Sequence, residues 1–336
     1  MLWELDGLCW RAHRHDGTDA LESGLFLDGR RAGSGVFEAT LPADRPFDRI
    51  AVSLNPHFAW GPGATVRVRV RAMDHRGWTP WAPLGVYGDG ARLPTSEFGR
   101  DPDRIEVRLD TACLPTLAGR AELRLELEID RARLQLISAL FPGGLRDPDP
   151  RGSVFVRRVA VCTWRHTAGA DALDALPRRR RHHAWGTRLS GVPVHSVPPR
   201  LVWPSVAGAV LGNVHVADVE ALAVDLVDHG TGAPMNPSVL LAYLSCQVGM
   251  TATCATFGDL SALEDEIFAG RPVIVAMSAA LPSLSPHVVV GFTDHGDVVA
   301  SDPAGVRGPK VVERHDFARR WLLGGEGRTW TFVPET

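Results

Sequence analysis

The sequence predicts an α+β protein in two parts: an N-terminal antiparallel β-sandwich over residues 1–165, then a helix-rich α+β half over 189–336. Three observations carry this. Before residue 165, apolar and charged residues alternate strictly, as in Val66, Val68 and Val70 against Arg67, Arg69 and Arg71, which gives a strand one buried and one wet face. From Gly191 onward the apolar spacing turns helical. Between them a polar passage, 166–188, reads as a linker and contains Pro177-Arg178-Arg179-Arg180-Arg181-His182-His183.

In the first half, Leu123, Leu125, Leu127 and Ile129 repeat the alternation over 121–130, and Ile105, Val107 and Leu109 repeat it over 104–109. Residues 48–54 and 154–161 are mixed apolar runs suited to central strands. Turn signals at Gly61-Pro62-Gly63, Gly88-Asp89-Gly90 and Pro142-Gly143-Gly144 break the strands at sandwich-like intervals. The Arg67, Arg69, Arg71 stripe is expected to be answered across the sheet by Glu126 and Glu128. The four-arginine run in the linker reads as a solvated stretch. Trp60, Trp78 and Trp81 fit two readings, core packing or a platform on which a sugar stacks.

In the second half, Asp218 is expected to cap a helix carrying Val219, Leu222, Ala223, Leu226 and Val227 and ending near Gly230. Asn236-Pro237 starts another that stops at Gly249. Ser261 and Glu264 form a capping box for a third, closed by Gly270. A buried strand over 272–277, a hairpin around His287, a short helix over 316–322 and a strand over 329–333 complete the order.

With 336 residues, the chain is long enough to bury two cores. Its 45% hydrophobic and 22% charged content is globular, and a net charge of −3 draws it toward neither nucleic acid nor an anionic membrane. Cys9, Cys113, Cys162, Cys246 and Cys254 are odd in number and lack CxxC spacing, so they read as buried free thiols rather than a zinc site or disulfide framework. No metal or cofactor is expected. The start lacks a basic and apolar leader, which points to a cytoplasmic chain as written, or an extracellular one if the true start lies upstream.

The hairpin holds the candidate chemistry. If His295-Gly296 is a two-residue turn, Asp294 opposes Asp297 and Val289 opposes Asp302. His287 then lies one diagonal step from Asp302 on the same face, where a carboxylate orients a catalytic imidazole or satisfies a structural one. No nucleophile accompanies them at an obvious position.

Three segments share a pattern. These are Trp78-Thr79-Pro80-Trp81-Ala82-Pro83-Leu84-Gly85, Gly191-Val192-Pro193-Val194-His195-Ser196, and His287 to Phe292 followed by Gly296 to Ala304. In order and spacing they resemble the peptidase-like proteins related to family thirty-nine of the cysteine peptidases, the bacteriocin-processing type with a papain-like fold behind a β-sandwich. The resemblance implies a Cys nucleophile at a helix start, within "WCSPTS", where the helix N-terminus lowers its pKa. Here that stretch is Leu201-Val202-Trp203-Pro204-Ser205. The Cys position falls on Val202, and the Gln that donates to the oxyanion is replaced by Val197. The resemblance therefore implies a peptidase-like protein that has lost its nucleophile and binds a peptide or partner protein in a degenerate cleft. Two alternatives stand beside it. One is an active peptide or amide hydrolase using His287 and Asp302 with a displaced nucleophile, Ser205 being the first candidate. The other is a glycan-binding surface protein using Trp78 and Trp81. Oligomeric state is not legible in the sequence.

Overall fold

The computed structural model describes residues 1–336 except 6, 22–23, 29–30, 58–63, 89–99, 102, 131–152, 175–181, 213–215, 235, 248–249, 278–284, 306–307 and 335–336. Trp60, Gly61-Pro62-Gly63, Asp89-Gly90, Pro142-Gly143-Gly144 and Arg178 to Arg181 lie outside the described residues, as do the side chains of Cys9 and Cys246.

Among the described residues the first half is a 12-stranded antiparallel arrangement. Four short strands, β1 (Leu2–Leu5), β2 (Arg14–Asp16), β3 (Asp19–Leu21) and β4 (Gly24–Asp28), lead into β5 (Ser34–His57). After it come β6 (Ala64–Asp74), β7 (Gly77–Trp78), β8 (Ala82–Gly88), β9 (Arg100–Asp101) and β10 (Ile105–Arg108), then β11 (Thr111–Ile129) and β12 (Ser153–Trp164). The alternation predicted at 65–71 and 121–130 is realised directly. β6 pairs β11 with Val68 opposite Leu125 and Val70 opposite Leu123, and all four side chains are fully buried. On the wet face Arg67 and Arg69 reach Glu126 at 3.6 and 3.3 Å, while Arg71 reaches Glu122 at 2.6 Å. The expected Glu128 instead opposes Thr65, one step beyond the arginines.

The second half has six antiparallel strands in the order β13-β18-β14-β15-β16-β17: β13 (Met250–Thr256), β14 (Val273–Ala276), β15 (Pro286–Phe292), β16 (Val298–Ser301), β17 (Lys310–Val312) and β18 (Arg328–Pro334). Its helices are α1 (Ala168–Asp174), α2 (Val202–Leu211), α3 (Val216–Asp225), α4 (Pro237–Gln247), α5 (Leu260–Phe268) and α6 (Arg314–Arg319), the last continuing into a π-helical turn at Arg320–Gly324. Both faces of the sheet are covered. Val288 and Val290 of β15 pack with Val206, Ala207 and Leu241 of α2 and α4. Val289 and Phe292 pack with Leu263 and Ile267 of α5 and Phe317 of α6.

Several local expectations change. α3 begins at Val216, so Asp218 sits in its first turn, and the helix ends at Asp225. α5 is capped by Asp259, whose carboxylate accepts the Ser261 and Ala262 N–H groups. Glu264 is therefore free of a capping box; it is buried and accepts from Trp185 Nε1 and Arg314, each at 2.6 Å. α6 starts at Arg314, with the Glu313 carboxylate accepting the Asp316 N–H. The passage read as a linker carries α1, which packs on the π-helical turn. Its far end is clipped to β15 by Gly186 N–H to the Phe292 carbonyl at 3.1 Å and Phe292 N–H to the Thr187 carbonyl at 2.9 Å.

The halves are joined by buried polar contacts. The Asn55 side chain completes both backbone bonds of Ala252, at 3.0 and 2.8 Å, and Ser53 accepts the Cys254 N–H at 2.7 Å. A bond to each Asp110 oxygen, at 2.9 and 2.8 Å, ties Arg328 across the junction, with both side chains buried. Among the described residues no helix is long and apolar enough to cross a membrane.

Candidate functional site

The hairpin of β15 and β16 differs from its expected register. Val289 opposes Ala300, and Val288 opposes Ser301. The loop is three residues, Asp294-His295-Gly296, closed by Thr293 N–H to the Asp297 carbonyl at 2.9 Å. Two features force this. Gly296 takes φ +80°, a left-handed position open to glycine, and the Thr293 hydroxyl accepts the N–H groups of His295 and Asp297. A register shift between Val289 and Gly291 follows, where the backbone of 187–188 crosses close to Gly291. Extended by one residue, the observed register puts His287 directly opposite Asp302 rather than diagonal to it.

His287 Nε2 lies 3.8 Å from Asp302 Oδ2, an ion-pair separation longer than a direct hydrogen bond. Asp302 is itself fixed, because its Oδ1 accepts the Ala304 N–H at 2.9 Å. Burial pushes the His287 imidazole below its usual pKa, and the Asp302 charge and the nearby Ser285 and Pro286 backbone push the other way while Arg320 adds to the depression. The ring is thus neutral at pH 7, and the Asp302 charge favours the proton on Nε2. Nδ1 is buried and has no hydrogen-bond partner of good geometry among the described residues.

The segment before α2 is laced to the loop after β16. Val197 donates its N–H to the Pro303 carbonyl at 2.9 Å, and the Ser196 hydroxyl donates to the Gly305 carbonyl at 2.6 Å. α2 also packs on β15. In this way Val197 is tied to the loop after β16, while α2 lies against the strand of His287. Val202 and Val197 are buried together with Leu201 and Val219. Ser205 is fully buried, and its hydroxyl donates to the His195 carbonyl at 2.9 Å. That bond anchors the helix to the segment before it.

The described thiols are unlike nucleophiles. Burial raises the pKa of Cys162 and pushes Cys254 up to about 12, and Cys113 is also raised. Trp78 and Trp81 are half-buried, and the Arg71 guanidinium lies over both rings, 4.8 and 4.6 Å from their centres. Those ring faces are occupied by the protein's own cation. Of the linker histidines, His182 faces Asp265 at 3.2 Å. Among the described residues, Glu313, His315 and Asp316 gather potential metal-ligand atoms, but all three are exposed and the Glu313 carboxylate is already bonded to the Asp316 N–H.

Sequence reasoning missed the contacts that assemble this region. Pro303 and Gly305 act through backbone carbonyls, which leave no signature in composition or spacing.

No family model and no curated protein matches the chain. Some solved structures are distantly similar. A C39-like peptidase from Bacillus anthracis is 16% identical, covers 45% of this chain and 98% of its own, and gives a TM-score of 0.33. The xylan-binding module CBM15 is 13% identical over 49% of this chain and 96% of its own, with a TM-score of 0.22. Xylanase10C from Cellvibrio japonicus in complex with xylopentaose is 11% identical over 48% of this chain and 26% of its own, with a TM-score of 0.19. The class that the structure itself defines is a mostly antiparallel α+β protein.

Proposed function

We propose that the chain is a cysteine-peptidase-like protein, a β-sandwich (1–165) joined through 166–188 to a papain-like domain (189–336), that has lost its nucleophile and retains a peptide segment beside His287. What supports this reading is a buried His287 that faces Asp302 at 3.8 Å, on a strand against which α2, the helix opening at Val202, packs. Val202 has no lone pair with which to attack a carbonyl, and the Val197 side chain has no donor for an oxyanion. Backbone groups and the apolar lining remain able to hold an extended peptide without cleaving it.

A fluorescent peptide library tests both halves of the proposal. Wild type should bind members of the library in a polarisation assay and turn none over. Val202→Cys alone should restore little activity, because one absent oxyanion donor costs about a hundredfold to a thousandfold in rate. Val197→Gln with Val202→Cys should restore more, and adding His287→Ala should abolish it. Wild-type turnover that disappears in His287→Ala would overturn the proposal and direct attention to Ser205.

A further inference from the structure

Away from His287, a cavity of about 690 Å³ opens where the two halves meet, a volume within the range of about 300–1,000 Å³ typical of small-molecule sites. It forms between the middle of β5 and the end of β12, and α1 and the turn after β13 close its far side. Phe47, Trp164, Phe257 and Leu322 line its walls. Its charged side chains are Arg45, Arg165, Asp171 and Glu326, and the Met1 α-ammonium, which donates to the Thr163 carbonyl at 2.6 Å, belongs to a further lining residue.

Those charges are not equivalent. Glu326 is engaged, accepting from Trp164 Nε1 at 2.8 Å and facing Arg49 at 4.0 Å. Arg45 and Arg165 have no acidic partner among the described residues, against the single unpaired acid Asp171. The backbone of Arg165 is pinned on both sides. Trp164 is held by Glu326, and His166 gives both its N–H and its Nδ1 to the Asp48 carboxylate, each at 2.8 Å. The backbone that carries the Arg165 cation is thereby fixed at the edge of the aromatic walls.

We propose that this cavity binds a small aromatic carboxylate, the ring against Phe257 and Trp164 and the carboxylate answered by Arg45 and Arg165. The proposal is independent of the reading of His287, since none of His287, Asp302, Val197 and Val202 lines the cavity.

The test is calorimetric titration of the full chain with 2-naphthoate and, as the neutral control of the same shape, 2-naphthamide. The acid should bind at least about ten times more tightly, the difference expected when a charge-assisted hydrogen bond is made to one ligand alone. Arg45→Gln with Arg165→Gln should erase that preference and leave the unfolding temperature unchanged, because both side chains are exposed. Equal binding of acid and amide, a preference that survives the double substitution, or no binding of the acid up to millimolar concentration would each overturn the proposal.

Discussion

His287 is held neutral by burial, and this links its protonation to stability. Its folded pKa lies below the usual 6.5, so as pH falls the unfolded chain takes up the proton first. The contribution to stability is intact above pH 6.5 and is lost as pH falls from there through the folded value. Urea denaturation at pH 7.5 and pH 5 should therefore show a larger loss for wild type than for His287→Gln; an equal loss would mean that His287 is not the linked group. The Asp302 charge opposes the depression. In Asp302→Asn the His287 midpoint, followed by NMR titration, should move further down, and an unchanged or raised midpoint would remove Asp302 from its role.

At the level of elements, two positions decide local structure. A Cβ on Gly291 would meet the Thr187 carbonyl and come within 2.9 Å of Arg188 Cα, and both are backbone atoms that cannot move alone. Gly291→Ala should cost about 1–3 kcal/mol and speed hydrogen exchange at the Leu189 and Phe292 amides, which bind the same crossing. The start of α5 separates two caps. Asp259→Ala should cost about 1 kcal/mol as loss of an N-cap, whereas Ser261→Ala should cost much less, since the Asp259 carboxylate still accepts the 261 and 262 N–H groups. Chemical denaturation of the two variants checks this directly. The hairpin shows why such details escape a linear reading. Counting from a two-residue turn gave the wrong partner for Val289, because a threonine hydroxyl and a crossing segment reset the register.

Across the whole molecule, the junction is specified by buried polar groups that reach from one half to the other. Asp110 and Arg328 are 218 residues apart and both buried, and the Arg328 guanidinium stays charged through Asp110 despite burial. Asp110→Ala should cost about 3–5 kcal/mol by stranding that charge, and Arg328→Met in the same chain should recover part of it. Equilibrium unfolding of the single and double variants measures both. The same junction bears on the boundary proposed at 166–188. Limited proteolysis there should yield two fragments that co-elute under native conditions and part only in denaturant; fragments that separate freely would show the junction to be weak.

The sequence alone determined which residues would be buried along β6 and β11 and roughly where α3, α4 and α5 would fall, because period-2 and period-3.6 spacing are properties of neighbouring residues, whereas α1 lies in a passage that reads as linker. It also singled out His287 and Asp302 as lying near one another, since a hairpin joins them through few residues. Tertiary structure alone decided the pair's register, the bonds that lay Val197 and α2 beside it, the burial of Ser205, and the Asp110–Arg328 tie between the halves. Those outcomes depend on backbone carbonyls and on side chains more than a hundred residues apart, and a carbonyl carries no letter in the sequence.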